Sequence, residues 1–170
     1  MDKPQPPTQP QPPLEAVIRG DDGPNVLVGN ALDNEIFGLG GNDTISGLAG
    51  NDEIHGGTGR DVLTGNEGQD TFFFDTRPNR STNWDKITDF RRQDDTIALD
   101  DRYFKKLGSS VSNGELRLGT DARDSNDYLI YNRKTGNLYY DADANGSGTK
   151  VLIAQFTNKP LLKAADFDIF

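Results

Sequence analysis

The sequence predicts an all-β protein organised around a coil of short parallel strands, and three periodic columns of residues carry this prediction. Residues 20–73 divide without remainder into six blocks of nine. Each block opens with glycine, has Asn or Asp at its sixth position and has a large apolar residue at its eighth. A solvated acidic loop would not keep acidic residues in phase with glycine and isoleucine. The blocks read GDDGPNVLV, GNALDNEIF, GLGGNDTIS, GLAGNDEIH, GGTGRDVLT and GNEGQDTFF.

Each column has a physical meaning. Glycine adopts the backbone conformations that tight turns need, and the last three residues of a block alternate around one apolar side chain, as in a half-buried strand. Two blocks of nine then form one coil, and successive coils stack about 4.8 Å apart. This register places Asp43 over Asp61 and Asp52 over Asp70. Carboxylates stacked so closely repel unless a cation lies between them, and a ligand set of oxygens alone suits calcium.

The charge of the repeat is consistent with such a cation. Residues 20–73 contain ten acidic residues and one basic residue, a net charge of −9 that equals the net charge of the whole chain. All excess negative charge therefore lies in the repeat. This acidity argues against nucleic acid as a partner, because phosphate binding needs basic patches.

Blocks three to six match the pattern GGxGxDxUx, and on these residues the chain resembles the RTX (repeats-in-toxin) calcium-binding repeat of type I secreted proteins. The region after the repeats is similar to the C-terminal domain of serralysin-type proteases. The resemblance implies a right-handed parallel β-roll, capped by a C-terminal β-rich, sandwich-like segment with one short helix. Block one departs from the pattern at Pro24 and Asn25, and block two at Leu32 and Asn34. Sites that use these asparagines are expected to be weaker or to serve as a cap.

The resemblance also implies where several Ca2+ ions bind. Each ion lies between turns two blocks apart and takes a side-chain oxygen from the sixth position of both turns. Carbonyl oxygens come from positions two and four of the earlier turn and from positions one and three of the later turn. The two strong sites are expected to use Leu39, Gly41, Asp43, Gly56, Thr58 and Asp61, and Leu48, Gly50, Asp52, Gly65, Glu67 and Asp70. The two weaker sites are expected to use Asp21, Gly23, Asn25, Gly38, Gly40 and Asp43, and Asn30, Leu32, Asn34, Gly47, Ala49 and Asp52.

The chain divides into a Pro/Gln-rich linker (1–13), the roll (14–75) and a C-terminal capping and secretion-signal region (76–170). Residues 14–18 are expected to begin the ordered part as a strand. Past the repeat, strands are predicted within 85–90, 95–100, 115–119, 127–132, 137–141 and 150–156, with a hairpin turn at 134–136. The segment 100–107 is predicted as a short helix that Asp100 caps and Gly108 ends.

Carboxylates just after the repeat have two interpretations. In serralysin-type proteases such carboxylates can add an ion to the end of the roll. The matching candidates here are Asp89 and Asp95, with Asp85 next. The alternative is a pair of strands with solvated acids at their ends.

A second acidic segment, DADANGSG at 141–148, also has two interpretations. Asp141, Asp143 and Asn145 match the first half of an EF-hand calcium loop, but Leu152 stands where the bidentate Glu should be. The segment therefore either binds an ion or forms a turn rich in Asx residues.

No pattern in the sequence selects a catalytic site. The chain has no cysteine, and its one histidine, His55, has no HExxH motif and no second histidine for a Ser-His-Asp set. A glycosidase-type pair of acids is compatible with the composition, but no feature selects one. We therefore expect a non-catalytic module, whatever chemistry its parent protein performs.

The resemblance implies a calcium-binding module of a bacterial protein that reaches the extracellular space or cell surface by the type I route, without an N-terminal signal peptide. It would fold on calcium outside the cell and support secretion and folding of an upstream domain. The secretion machinery would bind the C-terminus, where ADFDIF (165–170) resembles an uncleaved signal, although this segment can also be an edge strand. No membrane insertion is expected.

A binding module is the alternative function. It would be a calcium-dependent adhesin or a polysaccharide-binding unit like those attached to alginate epimerases. Basic side chains outside the roll could then contact an anionic sugar: Arg91, Arg92, Lys105 and Lys106.

Overall fold

The computed structural model describes residues 17–79 and 81–170. The predicted linker at 1–13 and the first three residues of the predicted strand at 14–18 lie outside the described residues. Within the described part, no helix is long and apolar enough to cross a membrane.

Fourteen strands and one short 3-10 helix (Ala164–Asp166) form this described part. The strands are β1 (Val17–Arg19), β2 (Val26–Val28), β3 (Glu35–Phe37), β4 (Thr44–Ala49), β5 (Glu53–His55), β6 (Val62–Glu67), β7 (Thr71–Phe74), β8 (Asp85–Ile87), β9 (Thr96–Leu99), β10 (Leu116–Leu118), β11 (Leu129–Asn132), β12 (Asn137–Tyr140), β13 (Val151–Phe156) and β14 (Phe167–Ile169).

The strands form two walls, as the period of nine predicts. The six-stranded wall has the order β1-β3-β5-β7-β9-β14, and the eight-stranded wall has the order β10-β11-β12-β13-β8-β6-β4-β2. Consecutive blocks alternate between the walls, and each repeat strand pairs in parallel with the strand two blocks away. Ile36 faces Ile54, which in turn faces Phe72. The predicted parallel β-roll is therefore confirmed.

The apolar eighth positions fill the space between the walls. Ile36, Ile45, Ile54, Leu63 and Phe72 have no exposed surface, as their column predicts. The first member of the column, Leu27, is only partly buried because its strand β2 lies at the edge of the eight-stranded wall. The core of the roll is thus one layer of side chains thick.

The coil continues for one more turn after the period of nine ends. Strand β8 pairs with β6, and β9 pairs with β7, so both walls extend past the predicted roll boundary at residue 75. The register widens from 18 residues to 24 at Asp85 and to 25 at Asp95. Loop insertions therefore hide this last coil from a search for a fixed period.

Strands β10 to β13 form the cap. The β11–β12 pair is antiparallel, as the hairpin turn at 134–136 predicts. The β12–β13 pair is antiparallel as well, and β13 joins the roll by pairing in parallel with β8. Aromatic rings connect the two cores: Phe90 lies 6.2 Å from Phe72 and 5.4 Å from Phe156, which lies 5.9 Å from Tyr131. Roll and cap therefore share one hydrophobic core.

The predicted helix at 100–107 is wrong. The segment forms consecutive turns, in which the Asp100 carbonyl accepts hydrogen bonds from Tyr103 and Phe104. The N–H of Asp101 instead donates to the carbonyl of Phe170 at the chain's end, 3.0 Å away. This tertiary bond outweighs the local preference, which is weak over so few residues. The C-terminal segment itself pairs with β9 and is the edge strand of its wall.

Candidate metal centres

Two ladders of sixth-position residues run along the turns of the roll. In each ladder the backbone N–H of one residue donates to Oδ1 of the residue in the next coil, as from Asp43 to Asp61 at 2.8 Å and from Asp52 to Asp70 at 3.1 Å. The glycine-rich turns thus hold the carboxylates in a fixed column. One ladder contains Asn25, Asp43, Asp61 and Asp85, and the other contains Asn34, Asp52, Asp70 and Asp95.

Only one oxygen of each repeat aspartate is used by the protein. The second oxygen, Oδ2, is buried and has no hydrogen-bond partner among the described residues in Asp43, Asp52, Asp61 and Asp70. An unpaired buried acceptor costs roughly 1–3 kcal/mol, and more when it carries charge. Four such oxygens in phase with the repeat indicate that each accepts a group other than a protein donor.

Backbone carbonyls converge on these free oxygens. A Cβ built on Gly38 would overlap both Asp43 Oδ2 and the Gly56 carbonyl oxygen, so glycine at the opening position lets oxygens of two turns meet. The same relation holds at Gly47, next to Asp52 Oδ2 and the Gly65 carbonyl. The structure therefore brings together the first-position carbonyl and the sixth-position carboxylate that the sequence assigned to each strong site.

Backbone hydrogen bonds already engage some of the remaining carbonyls of the strong sites. In the first site the Leu39 carbonyl accepts the Thr58 N–H at 2.9 Å, and Thr58 also forms an isolated parallel bridge with Gly40. In the second site the Glu67 carbonyl accepts the Gly50 N–H at 3.0 Å. A carbonyl has a second lone pair, so Leu39 can still bind an ion. The turn holds Leu39 and its counterpart Leu48 in the left-handed conformation, with φ values of 73° and 81°. This backbone conformation is strained for leucine, and such strain is common where a turn forms a ligand site.

Burial raises the pKa of Asp43, Asp52, Asp61 and Asp70. Backbone hydrogen bonds oppose the shift, while the charges of neighbouring carboxylates add to it in each case. A buried column of carboxylates with backbone carbonyls beside it, and without a nitrogen or sulfur ligand, is a donor set for a hard divalent cation. The residues present therefore fit calcium.

The first coil satisfies its own side chains. Asn25 Oδ1 accepts the Asp21 N–H at 2.8 Å, and its Nδ2 donates to Asp21 Oδ1 at 3.2 Å. Asn34 makes the same pair of bonds with Asn30, at 2.8 and 3.4 Å. An amide can donate and accept, so these turns need no ion to satisfy their sixth position. This geometry favours the interpretation that the first coil closes the end of the roll, rather than forming the two weaker calcium sites.

In the last coil Asp85, rather than Asp89, joins Asp95 in the ladder positions. Asp85 and Asp95 take the sixth positions, and burial raises the pKa of Asp85 well above its usual range and that of Asp95 to about 6. Asp89 instead accepts the N–H groups of Gly65 and Asn66 with its two oxygens, at 3.1 and 2.8 Å. The signal for Asp85 was present in the sequence, because its spacing to Ile87 repeats the D-x-U of the blocks.

The segment 141–148 combines a turn with a free carboxylate oxygen. Asp143 Oδ2 accepts the Gly148 N–H at 2.7 Å, a bond that closes the loop over five residues. Asp141 is only 6% exposed, and its Oδ1 has no partner within the described residues. Asn145 is exposed at the rim of the same surface cavity, which Asp121 also lines. Lys150 lines this cavity as well and pairs with Asp121 at 2.7 Å. We propose that one cation binds at the free Oδ1 of Asp141, beside this pair.

Replacing Asp141 with Asn is expected to remove one calcium ion from the protein and leave the ions of the roll in place. Native mass spectrometry at fixed free calcium counts them. Asp124→Asn is the matched control, because Asp124 is an exposed carboxylate in a neighbouring loop. Equal ion counts in wild type and Asp141→Asn would show that the segment is a plain turn.

The raised pKa values predict how the metal-free protein responds to pH. A carboxyl group whose folded pKa exceeds its unfolded value stabilises the folded state at low pH, and this stability is lost as pH rises through the folded pKa. Metal-free protein is therefore expected to gain β-structure between pH 7 and pH 5, a window set by Asp95 at about 6. Far-UV circular dichroism of chelator-treated, desalted protein measures this. Loss of structure on acidification would contradict the prediction.

Comparisons with known proteins agree with this geometry. The model of the family described as "RTX calcium-binding nonapeptide repeat (4 copies)" matches residues 19–54 and 46–76. Such repeats bind Ca2+. No curated protein matches the chain at a significant level.

Three solved structures show the same fold. Two are subunits of the Azotobacter vinelandii mannuronan C5-epimerase. AlgE6R2 is 29% identical with a TM-score of 0.59, covering 91% of this chain and 93% of that one. AlgE6R3 is 26% identical with a TM-score of 0.56, covering 87% and 79%. The extracellular lipase LipA of Serratia marcescens is 20% identical with a TM-score of 0.50; the match covers 91% of this chain and 21% of the lipase.

Proposed function

Residues 19–76 are RTX calcium-binding nonapeptide repeats, and from this premise we propose that the chain is the calcium-dependent folding module of a type I secreted protein. The observation that carries the proposal is the set of buried Oδ2 atoms without partners in Asp43, Asp52, Asp61 and Asp70. A fold with these orphan oxygens is incomplete without cations. Whether it forms is therefore set by the calcium concentration of the compartment.

The residues would act as a switch. Where calcium is scarce, the repeat's charge of −9 repels itself, and the chain stays unfolded and competent for export. Outside the cell, calcium supplies the positive charge that the stacked carboxylates lack. The Oδ1 atoms then hold the preceding coil through its N–H groups, and the apolar column closes between the walls. Folding follows from binding by linkage.

Replacing Asp61 with Asn should weaken calcium binding more than any change in the first coil. Asp61 lies between Asp43 and Asp85 in its ladder, so one substitution affects two neighbouring pairs of turns. Asparagine keeps an acceptor for the Asp43 N–H but removes the charge. We expect the calcium midpoint of folding to rise at least about tenfold, which corresponds to roughly 1.4 kcal/mol.

Asn25→Ala is the control for this substitution, because Asn25 is satisfied within its own turn. Its midpoint is expected to change less than about threefold, because the two bonds that the substitution removes are exposed and water can replace them. Equal shifts in the two variants would contradict the assignment of the ladder aspartates as principal ligands. Isothermal titration and circular dichroism give the midpoints.

We also propose that the C-terminus carries the secretion signal. The segment 165–170 is short and alternates acidic with apolar side chains. In the folded chain its Phe167 is buried where β14 pairs with β9. A signal that is buried after folding is consistent with export before folding. The test is export of a signal-less reporter fused upstream of the chain in cells with a type I exporter.

Deletion of 165–170 is expected to leave the reporter inside the cell. Calcium-induced folding of the purified deletion variant is measured in parallel, so that lost export and lost folding are distinguished. Export of the deletion variant at the wild-type level would reject the signal. A reporter that is exported, but refolds equally with and without calcium, would reject the proposed support of an upstream domain.

A second candidate function is binding of an acidic polysaccharide, and one cleft favours it. The basic side chains of Arg117, Arg123, Arg133 and Lys134 line an open cavity of the cap. Two buried polar atoms at this cleft, Arg117 Nε and the hydroxyl of Tyr131, have no partner within the described residues. Such groups suit the carboxylates and hydroxyls of a uronate chain.

The basic surface expected from sequence is a poorer candidate than this cleft, because Arg92 already pairs with Asp166 at 3.0 Å. Immobilised alginate, with neutral dextran as the comparison, tests the cleft in saturating calcium. Arg133→Gln together with Lys134→Gln should reduce alginate binding at least about tenfold. The matched pair Lys105→Gln and Lys106→Gln should leave it unchanged. Equal loss in both pairs would assign the binding to general charge.

A further inference from the structure

The outer face of the six-stranded wall carries a cluster that calcium binding in the turns does not use. Glu35 on β3 faces Glu53 on β5, and His55 follows two residues later on the same outward side, because Ile54 between them is buried. One carboxylate oxygen from each glutamate and one ring nitrogen of His55 lie within 4.8 Å of one another. Residues from two neighbouring coils therefore bring three possible ligand atoms close together.

The imidazole ring is held in a fixed orientation. It stacks between Phe37 and Phe73, with ring centroids 4.5 and 4.2 Å apart and interplanar angles of 21° and 11°. Its Nδ1 lies 2.7 Å from Asp75 Oδ2, and the side chain is 12% exposed. Aromatic packing and one hydrogen bond thus fix where each nitrogen points.

The second ring nitrogen has no partner. His55 Nε2 is buried and makes no hydrogen bond with the described residues. When Asp75 accepts the Nδ1 proton, the neutral ring leaves a lone pair on Nε2. Stacking explains where the ring lies, but it does not explain a buried nitrogen without a partner on a histidine whose ring lies close to the carboxylates of Glu35 and Glu53. A carboxylate that orients a histidine in this way is the usual support of a metal-bound imidazole.

The two glutamates also lack cationic partners. Within the described residues, neither Glu35 nor Glu53 forms an ion pair with Lys or Arg. Parallel pairing places their like charges side by side on the wall. Like charges that face each other across two neighbouring strands are destabilising, and a bound cation would relieve this repulsion.

We propose that Glu35, Glu53 and His55 form a binding site for a first-row transition metal ion, with zinc as the representative. An imidazole nitrogen with two carboxylates suits zinc and its neighbours, whereas calcium and magnesium prefer oxygen ligands alone. Asp75 is a positioning residue that sets the tautomer of His55. Ligand atoms lie about 3.3 Å apart when each is about 2.0–2.1 Å from zinc. The exposed side chain of Glu53 can rotate to close the remaining gap.

The site goes beyond the proposed function and is tested in protein that is already folded by calcium. Untagged protein is titrated with zinc in saturating calcium, and binding is followed by calorimetry and by the 15N resonances of the imidazole. The chain has one histidine, so the NMR signal reports this site alone. We expect one zinc ion per chain and a large shift of the Nε2 resonance.

Three variants and one control define the outcome. His55→Phe continues the stack of rings but removes the nitrogen, and it should abolish this binding. Glu53→Gln should weaken it at least about tenfold, and Asp75→Asn about 10–100-fold, as for other orienting carboxylates. Asp168→Asn removes an exposed carboxylate from another strand of the same wall and should change nothing.

Circular dichroism in calcium confirms that each variant is folded before zinc is added. Zinc binding that survives His55→Phe unchanged, or a wild-type Nε2 resonance that zinc does not move, would overturn the proposal. Neither result would bear on calcium binding by the turns, because folding is measured separately.

Discussion

Removal of calcium by a chelator is expected to abolish most of the β-structure of this chain. Four buried carboxylate oxygens would then lack any partner, at roughly 1–3 kcal/mol each. The sum of about 4–12 kcal/mol is comparable with the whole stability of a typical domain, about 5–15 kcal/mol. The net charge of −9 within the repeat adds self-repulsion. Far-UV circular dichroism during a calcium titration should show one cooperative transition from coil to β-structure.

Magnesium is the control ion in this titration. It is smaller, prefers octahedral geometry and loses its water reluctantly, so it should not reproduce the transition at equal concentration. A chelated protein whose spectrum is already rich in β-structure would contradict the switch. The roll would then be a static scaffold, and interest would move to the basic cleft of the cap.

Gly59→Ala is expected to be the most damaging single substitution in the turns. Gly59 has a φ of 143°, and a Cβ there would overlap the carbonyl oxygen of Gly41 in the preceding coil. The left-handed backbone costs an alanine about 1–2 kcal/mol, and the overlap forces two coils apart. We expect a loss of roughly 3 kcal/mol or more from the free energy of unfolding in calcium. Urea denaturation measures this loss.

Gly108→Ala separates the two contributions. Gly108 also has a left-handed φ, of 61°, but a Cβ there meets nothing within 4 Å. Its substitution should therefore cost only the backbone strain, about 1–2 kcal/mol. If both variants lose the same stability, close stacking of the coils contributes nothing measurable.

The periodic part of the fold could be predicted from sequence because one physical rule repeats in it. Each block needs glycine for the turn, a carboxylate or amide for the ladder and an apolar residue for the core, so the pairing of Asp43 with Asp61 followed from counting alone. The last coil was missed because its loops lengthen the register to 24 and 25 residues. The D-x-U spacing that marks Asp85 and Asp95 persists there without the opening glycine.

Other features depend on contacts that no local pattern encodes. The turns at 100–107 replace a helix because Asp101 bonds the end of the chain. The sequence ranked Asp89 before Asp85, whereas the structure places Asp85 in the ladder and engages Asp89 with the N–H groups of Gly65 and Asn66, near the end of β6. The cluster around His55 joins residues 20 positions apart through stacking of neighbouring coils, which a search for metal motifs in sequence does not detect.

The aromatic contacts of Phe90 couple folding of the roll to folding of the cap. Because roll and cap share one core, a cap that is folded favours a folded roll, and the converse holds equally. A ligand that binds only the folded cap must then raise the calcium affinity of the turns. Calcium must raise the affinity of the cap for that ligand by the same factor. A protein anchored to a polyanion through its cleft would hold its calcium more firmly. On dilution it would release the polyanion and the calcium together.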